Sequence, residues 1–164
     1  MSIILKNKET LIFEDFKFNC SVGENGLTKN KFEGDKKTPK GSFKIGNLYY
    51  RKDRLNRPNT NLKCITIKKN MGWCDDPKDE KSYNKLIKIN KRQKFEKLYR
   101  VDNKYDLVIP ILYNTKNIVP YKGSAIFLHL TKNYNSTNGC IALKKNDFLI
   151  LLKLIKKNTK IKIS

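Results

Sequence analysis

Residues 123–143 read GSAIFLHLTKNYNSTNGCIAL. The opening run, GSAIFLHL, is apolar on both faces of an extended chain, which predicts a strand covered from both sides. Near its end stands His129, the only histidine in the protein. A polar loop follows, and then Gly139, Cys140 and a return to apolar character at Ile141, Ala142 and Leu143. A strand end and the loop after it can come back to each other over the sequence separation of eleven from His129 to Cys140. The stretch therefore poses one question of chemistry, whether this cysteine has a base beside it.

Outward from there, the pattern is mostly β. Before it, SIILK, TLIF and FKFNCSV are short runs of branched and aromatic residues. SFKIGNLYYR is a strand candidate with Gly46 as a bulge, LKCITIKK alternates like a half-buried strand, and YDLVIPIL is a strand that Pro110 marks as an edge or a bulge. GENGLTKNKFEGDKKTPKG is punctuated as turns. The middle, NMGWCDDPKDEKSYNKLIKINKRQKFEKLYR, lacks a helical stripe and reads as loop, short strand and a helical turn. After the cysteine one helix is clear. Phe148, Leu151, Leu152 and Ile155 share a face, Asn146 is the expected cap, and Asp147 suits the positive end. TKIKIS closes the chain as a strand. The expectation is a single domain over 1–164, mainly β, a sandwich or barrel-like sheet with one clear helix in the C-terminal region.

Composition limits the function classes. No apolar run approaches the roughly 18 residues of a membrane helix, so no transmembrane segment is expected. The opening MSIILKNKETLIFEDF does not read as a secretory signal, because Lys6, Lys8 and Glu9 follow a very short apolar stretch. A mature form, a removed leader and an intracellular protein all fit that. The formal charge is +21, and from Leu107 onward ten lysines face one acid, Asp147. Such a field concentrates anionic partners, although a general habit of lysine-rich composition explains it as well. Only five of the 36 cations are Arg, the bidentate phosphate reader, so nucleic acid is not expected as a partner. Cys20, Cys64, Cys74 and Cys140 form no C-x-x-C, and one histidine cannot complete a usual zinc site. No metal or cofactor is expected. A Cys64–Cys74 disulfide is open in an oxidising compartment.

The chemistry that would join His129 to Cys140 is nucleophilic catalysis. A free thiol has a pKa near ~8.5 and only the thiolate attacks well. A neighbouring imidazole can take that proton and return it to a leaving group. Gly139 lets a substrate approach the backbone and lets successive N–H groups face one oxyanion. A buried inert cysteine and a satisfied core histidine are the competing reading.

Two motifs tilt the balance. His129 precedes Thr137-Asn138-Gly139-Cys140-Ile141, and upstream stands Thr38-Pro39-Lys40-Gly41-Ser42-Phe43. In this order they resemble the L,D-transpeptidases, the YkuD-type cell-wall enzymes, whose signature is a histidine, a loop, then Ser/Thr-His-Gly-Cys and an aliphatic residue. The upstream Thr-Pro-x-Gly-x-Phe segment is a second feature of that family. The resemblance runs from about Gly23 to Leu152 and is to a divergent branch. Asn138 replaces the motif's second histidine, Ala142 replaces a polar residue, and the loop from His129 to Cys140 is shorter than usual.

The resemblance implies a YkuD-like β-sandwich that acts on peptidoglycan stem peptides. It implies Cys140 as nucleophile and His129 as base. It implies the Leu130 carbonyl as the group that orients His129, and the N–H groups of Asn138, Gly139 and Cys140 as oxyanion donors. It also implies a place in the periplasm or cell envelope. A cytoplasmic location stays open because no signal is visible. A monomer is expected.

Arg51 and Arg54 could hold a stem carboxylate, or pair with Asp53 or a neighbour at the surface. Trp73 could line the cleft or sit in the core, and Thr137 is a further substrate-binding candidate. Asp75 and Asp76 could receive an amine or cap the turn before Pro77, while Glu33 and Asp35 read as ordering a turn. Two other functional readings are an L,D-carboxypeptidase or other cysteine peptidase, and a non-enzymatic basic binding module.

Overall fold

The computed structural model describes residues 1–90 and 92–164. The chain opens as an antiparallel meander of β1 (Ser2–Asn7), β2 (Thr10–Phe13) and β3 (Phe16–Ser21). Strict alternation buries Ile3, Leu5, Leu11, Phe13, Phe18 and Cys20 on one face. The turn-rich segment that follows contains a short parallel pair, β4 (Leu27–Thr28) and β5 (Thr38–Pro39).

Next come β6 (Gly41–Lys44), β7 (Leu48–Tyr50) and β8 (Cys64–Thr66). SFKIGNLYYR is thus two strands rather than one bulged strand. Gly46 marks the corner between them, where its N–H donates to the Pro110 carbonyl at 2.8 Å. The middle segment is more regular than its composition suggests. Here β9 (Met71–Cys74), β10 (Leu86–Lys88) and β11 (Phe95–Lys97) form a separate antiparallel sheet with β9 in the centre.

The last third supplies β12 (Leu107–Pro110), β13 (Phe127–Leu130), β14 (Ile141–Leu143), helix α1 (Lys145–Leu154) and β15 (Lys160–Ile163). Ten strands join in one mixed sheet, ordered β6-β15-β1-β2-β3-β14-β13-β12-β7-β8. The sheet curls until β6 returns toward β12. An isolated bridge between Ile45 and Ile111 and the Leu112 N–H to Lys44 carbonyl bond of 2.8 Å close the corner. The mainly-β, sandwich-like expectation holds, with both layers belonging to one curled sheet.

Pro110 is not on an edge strand, because β12 lies between β13 and β7. It is the last residue of β12, beyond the two positions that pair with β7, so its missing N–H costs no bond there. The core between the layers joins Leu11 and Phe18 to Leu107, Leu128, Ile141 and Leu143. Helix α1 seals it with Phe148, Leu151 and Leu152, each fully buried. Burial of that kind contributes roughly 1.5–3 kcal/mol per large apolar side chain. Asn146 is not the cap. The cap position is Lys144, whose side chain makes no capping bond and whose carbonyl accepts the Phe148 N–H at 2.9 Å. Strand β14 ends at Leu143, so the helix has to begin at once to bring Phe148 under the sheet. All four cysteines are free thiols.

Strand β13 is covered on both faces, as its composition predicts. Leu128 and Leu130 face the main core, while Phe127 belongs to a second cluster with Tyr49, Trp73, Leu98, Tyr105, Val108 and Cys140. That second face carries the candidate site.

Candidate active site

Strands β13 and β14 are parallel, with Leu128 opposite Ile141 and His129 opposite Ala142. Side chains alternate along a strand, so Phe127, His129, Cys140 and Ala142 share one face. The short apolar stretch IAL pairs with LHL, and all six residues are buried there. This register brings the histidine and the cysteine together. It places them diagonally on that face, with Cys140 just ahead of β14, and both line one cavity.

His129 is held tightly. Its Nδ1 lies 2.8 Å from the Leu130 carbonyl oxygen, and its ring meets Tyr105 edge-on at 5.3 Å. A carbonyl only accepts, so Nδ1 carries the hydrogen and Nε2 keeps its lone pair. Burial pushes the imidazole pKa down to about 4, and the nearby Lys104 and Arg100 charges act in the same direction. Cys140 is buried as well. The Phe127 N–H donates to its Sγ at 3.3 Å, and its thiol donates to the Ala125 carbonyl at 3.3 Å. Burial pushes the thiol up to about 12, partly opposed by the Phe127 N–H. The resting pair is therefore neutral thiol beside neutral imidazole.

The backbone around the cysteine is set by the upstream motif. Thr38 is fully buried; its hydroxyl accepts from the Gly23 N–H at 2.9 Å and donates to the Gly139 carbonyl at 2.8 Å. Gly139 adopts φ +137°, and a Cβ there would stand 2.9 Å from the Lys37 carbonyl oxygen. Only glycine meets both demands. Thr137 has its hydroxyl engaged within the loop, donating to the Cys140 carbonyl at 2.6 Å and accepting from the Gly139 N–H at 3.1 Å. The Gly139 N–H is thereby withdrawn from the oxyanion set expected from sequence. The N–H groups of Asn138 and Cys140 have no acceptor among the described residues.

A cavity of about 400 Å³ opens above this loop, lined by His129, Leu130, Thr137, Asn138 and Cys140 among others. Its rim is of mixed charge. Glu33, Asp75 and Glu96 stand with Lys31, Lys94, Arg100 and Lys104. Burial pushes the Asp75 carboxyl above its usual range, and its Oδ1 has no hydrogen-bond partner. Asp76 instead orders the turn, accepting the Lys78 N–H at 3.0 Å. Glu33 accepts from the Ser124 hydroxyl at 2.8 Å and also from Tyr83. Asp35 is buried in its turn as well.

Three candidates do not line this cavity. Arg51 is buried, and its guanidinium forks onto Asp53 at 2.8 Å through both Nε and Nη2, reaches the Arg100 carbonyl at 2.6 Å and stacks on Tyr99 at 3.6 Å. Arg54 holds Asp106 and the carbonyls of Val101 and Asp102. Both are committed to the fold, which is the surface-pair alternative rather than the ligand one. Trp73 lies below the cavity, its Nε1 donating to Asn84 Oδ1 at 2.9 Å and its ring edge-on to Phe127 at 5.3 Å. Sequence reasoning passed over Lys31, Glu96, Arg100 and Tyr105, which do line it. Tyr105 opens the apolar run YDLV and so reads as a strand residue. Nothing separates Lys31 from the many other lysines.

The family model for the YkuD L,D-transpeptidase catalytic domain matches residues 2–163. The chain belongs to this family. Neither a search of curated proteins nor a search of solved structures found a match. L,D-transpeptidases of the YkuD family are cysteine-dependent enzymes that act on peptidoglycan, typically in the cell envelope. Within this L,D-transpeptidase domain, no helix among the described residues is long and apolar enough to cross a membrane.

Proposed function

We propose that this domain is a peptidoglycan L,D-transpeptidase with Cys140 as nucleophile and His129 as its general base. The observation that carries the reading is the placement of both residues on one face of the β13–β14 pair, at the floor of a cavity. The stem peptide enters with the carbonyl of its diamino acid over Cys140. The thiol leaves the Ala125 carbonyl, passes its proton to His129 Nε2, and Sγ bonds to the carbonyl carbon. The N–H groups of Asn138 and Cys140 receive the oxyanion. When the tetrahedral adduct collapses, the C–N bond to the terminal D-amino acid breaks and His129 returns the proton to the departing amine.

The thioester then meets an amine of a second stem. His129 accepts the proton from that amine, the new C–N bond forms, and Sγ leaves and is reprotonated. Water in place of the amine gives the carboxypeptidase product. The Leu130 carbonyl positions His129 throughout by holding Nδ1–H. A place at the cell envelope and a monomeric protein complete the proposal.

The test is muropeptide analysis by mass spectrometry after incubation of peptidoglycan with the protein, beside Cys140→Ala. A new cross-linked dimer or a shortened stem, present only with the wild type, is expected. It also tells transfer from hydrolysis. Equal products from both proteins would sink the assignment of Cys140.

A further inference from the structure

Lys31 is 5% exposed and lines the cavity, an unusual place for an ammonium. It is there by construction of its surroundings. Its stem runs over Gly123, where a Cβ would come within 2.9 Å of Cε, and Gly123 has φ +104°. Its Nζ lies 3.6 Å from where a Cβ on Gly139 would sit, beside the residue that precedes Cys140. Gly123 thus leaves room for the stem, and the ammonium it carries comes up to ordinary contact distance of the Gly139 position in the Cys140 loop.

Asp35 holds the ammonium at 2.6 Å, yet Asp35 does not need it for satisfaction. The Lys37 N–H donates to the same oxygen at 2.9 Å and the Phe32 N–H to the other at 3.1 Å. Among the described residues Asp35 is the only acceptor for Lys31, so an ammonium with three hydrogens has one partner. Buried ion pairs contribute little net stability compared with apolar packing, so stability alone does not explain an ammonium built into the lining of this cavity, where it can meet a ligand acceptor.

We propose that Lys31 is a specificity-determining residue whose ammonium, held by Asp35, binds a carboxylate of the acyl donor beside Cys140. This rests on the transpeptidase reading for the identity of the donor. Two carboxylates could serve, the one on the diamino acid and the one on the departing D-residue. Neither Arg51 nor Arg54 competes, since their donors are used elsewhere.

The first experiment needs no natural substrate. Cys140 of the full chain is alkylated with iodoacetate and with iodoacetamide, and the rates are followed by peptide mass mapping to separate Cys140 from Cys64. The two reagents differ only in a carboxylate against an amide. Lys31→Gln should lower the iodoacetate-to-iodoacetamide rate ratio by roughly tenfold, the scale of one charge-assisted hydrogen bond, while Lys31→Arg should keep it. Lys31→Met with Asp35→Asn removes both charges and serves if Lys31→Gln fails to fold. An unchanged ratio in a folded charge-free variant overturns the proposal.

The second experiment measures acylation of Cys140 by donor muropeptides. Lys31→Gln should raise the half-saturating concentration about tenfold for a donor with a free diamino acid carboxylate. If the effect vanishes with the amidated donor, Lys31 binds that carboxylate. If it persists, Lys31 binds the carboxylate of the departing residue. A wild type that no muropeptide acylates, together with a shifted alkylation ratio, overturns the transpeptidase reading and leaves the carboxylate site standing.

Discussion

The Thr38 hydroxyl donates a 2.8 Å hydrogen bond to the carbonyl of Gly139, across a sequence separation of 101 residues. That carbonyl belongs to the same peptide plane as the Cys140 N–H. Fixing one end of a planar peptide fixes the other, so Thr38 sets the orientation of the Cys140 N–H, which has no acceptor among the described residues. The Thr-Pro motif thus has a physical role in orienting the Cys140 amide.

Thr38→Val keeps the shape and removes the hydroxyl. It leaves the Gly139 carbonyl and the Gly23 N–H buried without their partner, each costing about 1–3 kcal/mol. We expect a lower melting temperature and a fall in kcat of at least about tenfold, with little change in KM. Thr38→Ser should restore most of both. A valine variant with full kcat would count against the positioning role.

Gly139→Ala tests the same loop from the other direction. The added Cβ meets the Lys37 carbonyl oxygen at 2.9 Å and must adopt φ +137°. The strain is on the order of 1–3 kcal/mol, and relief requires the loop to shift. The expected outcome is a folded, slightly destabilised protein with activity reduced by two orders of magnitude or so. Wild-type turnover in this variant would show that the loop conformation is not needed.

His129 makes two pH predictions with one sign. It is neutral in the fold down to about 4, whereas the unfolded chain takes up its proton near 6.5. In the proposed mechanism its neutral form is the base, so the acid limb of kcat/KM should fall near pH 4, and a limb near 6.5 would refute the buried base. For stability, the unfolded state binds the extra proton between those values. The native state therefore has its full advantage above about 6.5 and loses on the order of 3 kcal/mol as pH falls to about 4. Thermal melts of His129→Asn should show less acid destabilisation than the wild type.

Arg51→Lys asks what this buried cation is for. Lysine cannot fork onto Asp53 while reaching the Arg100 carbonyl and stacking on Tyr99. The melting temperature should drop by about 3–6 °C, with the half-saturating donor concentration unchanged. A rise in that concentration without loss of stability would return Arg51 to the substrate site.

Much of the fold was legible because the meander β1–β3 and strand β13 bury residues in the simple patterns their sequences display. The sheet β9–β11 was not. Its outer strands are three residues each and carry exposed or half-exposed Lys88, Glu96 and Lys97, so no alternation develops. In the site, the order of motifs along the chain pointed to Cys140 and His129. The cavity walls come from segments far apart in sequence, and their charges match a background rich in lysine. Arg51 shows the limit plainly. A cation two residues from an aspartate reads the same whether it faces a ligand or its neighbour.

The burial that keeps Cys140 protonated has a further consequence. Oxidation to sulfenic acid tracks thiolate character and exposure, and Cys140 has little of either at rest. Hydrogen peroxide should reach the half-exposed Cys64 sooner. On the proposed mechanism the domain would keep its thiol intact in an oxidising medium at rest and expose it to oxidation mainly during turnover.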